Sequence, residues 1–162
     1  MNRKIAIATA LTTGLALLPL AAVAQTKTGD DKAVRHITGQ TLGAELKKGM
    51  TKDAFYSEII ITQAPAYRVI NTTRDKPGEA EIHDGWTDHI FVQEGEATFV
   101  TGGKIDGSKV TAPGQHRGKS ITGGTSRPMR AGDYFLIPAG TPHQMLLEPG
   151  KRIKFIAFKT VK

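Results

Sequence analysis

Glu81, His83, Asp88 and His143 are the side chains in this 162-residue sequence whose types and spacing suit metal chemistry. Glu81 and His83 stand two apart, and side chains at i and i+2 share one face of a strand. Asp84-Gly85 is a hairpin-type turn signal that returns Asp88 beside them on the next strand. Two imidazoles and two carboxylates suit Mn, Fe, Ni or Zn, and the two negative charges would neutralise a divalent ion. The alternative is a metal-free cluster that binds an organic ligand with the same groups. His89 enters the cluster only if the strand register slips by one.

The elements that must position these residues read as strands and turns. The stretch GDYFLIPAGTPHQ, Gly132 to Gln144, begins as a strand over Asp133 to Ile137, rich in aromatic and branched residues. Pro138 removes a backbone donor and ends the ladder, and Gly140 and Pro142 turn the chain. A second strand starts near His143, where alternation puts His143, Met145 and Leu147 on the inner face and Glu148 in water. By the same logic Asp88, Ile90 and Val92 face inward, because the opposite face would bury Gln93. Further strands are predicted over Phe55 to Ile61, Tyr67 to Thr73, Glu79 to His83, His89 to Gln93, Ala97 to Thr101, Gln144 to Leu147 and Ile153 to Phe158. A helix is predicted within Ile37 to Met50, where Leu42, Leu46 and Met50 recur four apart. Gly102 to Pro128 carries seven glycines and reads as a long irregular loop, either a loose insert or a flap over the pocket mouth. Many short strands with glycine and proline between them indicate an all-β sandwich or barrel.

The spacing resembles the cupin superfamily. Its second motif is Gly, five residues, Pro, any residue, Gly, two residues, His, three residues, Asn. Gly132, Pro138, Gly140 and His143 fall at those spacings, and Leu147 stands in place of the asparagine. Its first motif is matched by Glu81 for the first histidine, His83 for the second, Asp88 for the glutamate and Gly95 for the closing glycine. The resemblance covers about Tyr67 to Lys159. It implies a double-stranded β-helix, a jelly-roll barrel with a small-molecule pocket at one end. It also implies a divalent metal on Glu81, His83, Asp88 and His143, and a homodimer formed through Phe55 to Ile61. It implies no particular reaction, since one fold hosts many.

The ends and the charge narrow the setting. Arg3 and Lys4 precede an apolar run, and Ala22-Val23-Ala24 is a cleavage signal, so residues 1–24 read as a secretory signal peptide. The expected organisation is this leader, a loose segment over 25–36, and one domain over 37–162. Removing the leader takes away two basic residues and no acidic one, which lowers the formal charge from +7 to +5. The remaining basic residues are dispersed, which argues against a nucleic-acid surface. There is no cysteine, so the fold must rest on its core and any metal site on His, Asp and Glu. Arg68, Arg74 and Arg130 are read as a solvated edge in preference to an anion site. Periplasmic or secreted location is expected, with a small-molecule ligand and no membrane association after cleavage. Two function classes stay open. One is a metalloenzyme of isomerase, lyase or dioxygenase type acting on a sugar, a hydroxy or keto acid, or a phenol. The other is a non-catalytic binding or sensing module.

Overall fold

A computed structural model describes residues 24–25, 34, 36–50 and 56–162. The expected leader, apart from Ala24, and most of the expected loose segment lie outside the described residues. The strands are β1 (Ala24–Gln25), β2 (Tyr56–Ala64), β3 (Tyr67–Arg74), β4 (Ala80–His83), β5 (Trp86–Thr101), β6 (Lys104–Asp106) and β7 (Lys109–Ala112). They continue with β8 (Gln115–Gly118), β9 (Ser120–Thr122), β10 (Thr125–Arg130), β11 (Tyr134–Ile137), β12 (His143–Leu146) and β13 (Ile153–Val161). The single helix among the described residues, α1 (Gly39–Gly49), starts at Thr38, whose hydroxyl accepts from the Thr41 N–H at 3.1 Å. Such a cap contributes about 1 kcal/mol. Leu46 is its buried residue, set against the barrel beside β2.

Two sheets face each other and share β5. Its first half pairs with β13 and β11, and its second half pairs with β10 and β12. On one side the order runs β2, β3, β13, β5; on the other it runs β5, β12, β4, β8, β7. The sequence pattern predicts two strands here, split at Glu94-Gly95-Glu96. The chain instead forms one 16-residue strand. Gly95 adopts φ +79°, and the pairing register with β13 shifts at Lys154/Phe155. A Cβ at Gly95 would lie 1.9 Å from the Arg152 carbonyl oxygen. The glycine therefore makes a bend inside a strand, where the two backbones approach closely, and not a turn between strands.

The core lies between the sheets. Ile70, Ile90, Val92, Phe99, Met129, Met145, Ile153 and Ala157 form its centre, with Phe135 set edge-on to Phe99 at 5.1 Å. The alternation predicted for β5 is present: Asp88, Ile90 and Val92 are buried and Phe91 is half exposed. His89 stays on the outer face, its Nδ1 2.5 Å from the Tyr134 hydroxyl. Residues 102–128 depart from the expected irregular loop. They form four short strands and the start of β10, with β6 paired to β9 and β7 to β8. Their glycines sit at the hairpin corners: Gly102, Gly103, Gly107, Gly114 and Gly123 all have positive φ.

Candidate functional site

Strand register alone brings the chemistry-bearing side chains together. On β4, Glu81 lies opposite His143 of β12 on one side and opposite Arg117 of β8 on the other. His83, two residues on, lies opposite Gln115 of β8. On the facing sheet Asp88 of β5 lies opposite Lys159 of β13. Directly opposed residues in an antiparallel pair present their side chains on the same face. The turn Pro138 to Pro142 is tied to this region, with the Gly140 N–H donating to the His83 carbonyl at 2.8 Å.

Ligand atoms of Glu81, His83 and His143 lie within 4.8 Å of one another. His143 Nε2 is 3.4 Å from Glu81 Oε1, and His83 Nε2 is 3.8 Å from Glu81 Oε2. The ring orientations are set from behind. His143 Nδ1 donates to the Thr141 carbonyl at 2.9 Å, and His83 Nδ1 donates to Gln115 Oε1 at 2.5 Å. Each neutral ring therefore turns an Nε2 lone pair toward the cluster. His143 Nε2 is buried with no hydrogen-bond partner among the described residues. Burial holds the His143 pKa below its ordinary value. His83 is lowered to about 4, first by burial and then by the nearby Lys159 ammonium. Both rings are thus neutral at pH 7, the form that binds a metal.

Asp88 is adjacent but differently engaged. Its Oδ2 lies 3.6 Å from His83 Nε2 and 3.9 Å from His143 Nε2, yet accepts from Lys159 Nζ at 2.6 Å. The same ammonium lies 3.0 Å from His83 Nε2. Burial lowers the Lys159 pKa, and Asp88 opposes that shift. Glu81 is paired with Arg117. Lys159 and Arg117 thus place two cations on the two carboxylates that the sequence reading left for a metal to neutralise. Neither residue, nor Gln115, is singled out by spacing, because all three arrive through cross-strand pairing. Arg68 and Arg74 differ from their expected role as a solvated edge. They line the barrel cavity together with Arg117 and Lys159, whereas Arg130 is exposed.

The sequence matches no protein-family model and no curated protein sequence. Among solved structures it is similar to the polyketide cyclase RemF from Streptomyces resistomycificus, at 16% identity over 65% of this chain and 65% of that chain, with a TM-score of 0.48. It is also similar to an oxalate oxidase, at 18% identity over 65% of this chain and 50% of that one, TM-score 0.46. A Thermus thermophilus protein matches at 14% identity over 65% of this chain and 83% of that one, TM-score 0.47. The matched regions thus span less than two thirds of the RemF and oxalate oxidase chains. What decides the fold is the chain's own order of strands: two facing sheets sharing β5, and the Gly132–His143 motif bridging β11 and β12. The fold is a curled, mostly antiparallel β-barrel, the architecture that the cupin resemblance implies. Within that barrel Glu81, His83 and His143 form a group that could hold a metal ion.

Proposed function

We propose that the barrel holds a divalent metal ion on Glu81, His83 and His143 and binds a small polar organic molecule beside it. The observation that carries this reading is the orientation of the two imidazoles. Each has its outer nitrogen fixed by an acceptor and its inner nitrogen turned into the cluster; His83 Nε2 lies 3.0 Å from Lys159 Nζ, and His143 Nε2 has no hydrogen-bond partner among the described residues. One carboxylate and two imidazoles suit Mn, Fe, Ni or Zn. When bound, such an ion acts as a Lewis acid on substrate oxygens. Asp88 and Lys159 then stand beside the reacting region as a hydrogen-bonded acid–base pair, which favours a metalloenzyme over a passive binding module. Asp88, expected as a fourth ligand, is in this reading held by Lys159 instead. Export to the periplasm or medium is part of this proposal, supported by the basic start and apolar run of residues 1–24.

The test is metal content after purification without chelator and incubation with each of the four ions. One ion per chain is expected, lost in the double variant His83→Ala/His143→Ala while the far-UV spectrum stays β-rich. A native protein that holds none of these ions sinks the reading. A second reading has its own support. Lys159 and Arg117 already balance Asp88 and Glu81, so the same cluster is electrostatically compatible with a metal-free organic-ligand pocket.

A further inference from the structure

The cavity of about 300 Å³ between the sheets contains more positive than negative side chains. Alternation puts Arg68, Thr72 and Arg74 of β3 on its wall, two and four residues apart. Arg68 is paired with Glu58 at 2.8 Å, Arg117 with Glu81, and Lys159 with Asp88 at 2.6 Å. That matching uses every carboxylate on the wall and leaves Arg74. Among the described residues Arg74 makes no ion pair. Its Cζ lies 5.6 Å from the centre of the Tyr56 ring, and its Nε is buried without a hydrogen-bond partner. Burial works against its charge, opposed by Tyr56 and Glu58, and its proximity also depresses Arg117. The fold nonetheless makes room for it. A Cβ at Gly78 would lie 1.8 Å from Arg74 Nη1, and Gly78 is itself fixed, its N–H donating to the Met145 carbonyl at 2.9 Å and its carbonyl accepting from Gln144 at 3.0 Å.

A guanidinium whose Nε is buried without a partner is costly unless an acceptor completes it. A carboxylate does so best, because its two oxygens match the guanidinium fork. We propose that the barrel takes a small organic monocarboxylate seated on Arg74, with its other polar end toward the Glu81-His83-His143 cluster. The cavity volume restricts the ligand to a small acid. The placement of the far end rests on the metal reading above; the seat on Arg74 does not.

The experiment compares lactate with lactamide, which share size and hydroxyl but not charge. Both are titrated into the native protein, metal-free and zinc-loaded, with NMR shifts as the readout. Lactate should bind at least tenfold more tightly than lactamide in both states. Arg74→Gln should remove that preference, and Arg74→Lys should keep part of it. Equal or absent binding of the two ligands by the native metal-free protein overturns the inference, as does an unchanged preference in a folded Arg74→Gln. If zinc never binds but the preference for lactate stands and depends on Arg74, the metal reading alone falls.

Discussion

Lys159 reaches the site from the last strand and changes what Asp88 can do there. Both side chains are nearly enclosed, so their pairing is not a solvated surface contact. Removing one partner of such a pair leaves an uncompensated buried charge, which costs about 3–5 kcal/mol. Lys159→Met should therefore lower stability by that order in denaturant unfolding at pH 7. The double variant Lys159→Met/Asp88→Asn should recover much of it, because no charge is then stranded; equal losses in both would show that packing and not pairing matters. The same ammonium helps keep His83 neutral, so Lys159→Met should also raise the His83 pKa toward 6.5 in an NMR titration. In the native metal-free protein a depressed histidine takes up its proton first in the unfolded chain. The unfolded state binds more protons between about pH 4 and 6.5, so stability is complete above that window and falls as pH drops through it. His83 alone accounts for roughly 3 kcal/mol of this loss, and His143 shifts in the same direction. A flat unfolding midpoint from pH 7 to pH 4 would contradict it.

At the level of elements, legibility follows how local each signal is. The turn from Pro138 to Pro142 and the inward side of β12 were readable because glycine, proline and alternation act within a few residues. Helix α1 was readable from its four-residue repeat, although its Thr38 cap was not singled out. The continuity of β5 was not readable, because Glu94-Gly95-Glu96 carries the composition of a turn. Only the approach of the Arg152 backbone shows that the glycine serves a bend. Gly95→Ala is the corresponding test. It places a Cβ against that carbonyl at a positive φ, so it should destabilise the barrel by about 1–3 kcal/mol and disturb the pairing of β5 with β13. A midpoint equal to that of the native protein would mean the bend tolerates a side chain. Phe99 follows the bend, packed against Phe135 and 6.0 Å from the His143 ring centre. Phe99→Ala should cost about 3–5 kcal/mol, and with it the support behind His143.

For the whole molecule, two expectations rest on different parts of the chain. The leader reading predicts that protein recovered from the periplasm or medium begins at Gln25, which intact mass decides; a retained Met1 would sink it. The second concerns how residues 102–128 serve the barrel, which composition alone left open between a loose insert and a flap. Glycine content marks both hairpin corners and floppy chain, so it does not separate them; strand pairing does. Within this segment β7 is exposed along its length and has β8 as its neighbour, whereas β8 pairs with β4 and supplies Gln115 and Arg117 to the site. Hydrogen exchange should reflect that gradient. The strands β3, β13 and β5, each flanked on both sides, should exchange most slowly, and β7 quickly. Adding zinc should then slow exchange at 115–118 and at Ala80–His83, because the ion fixes His83, and His83 is held by Gln115 across the ladder. Exchange at Lys109–Ala112 should barely change. Equal slowing across all of 102–128 would point to a flap that closes as a unit. No slowing at 115–118, with zinc bound, would mean that β8 is not coupled to the cluster and that the Gln115–His83 contact plays no part in holding the metal.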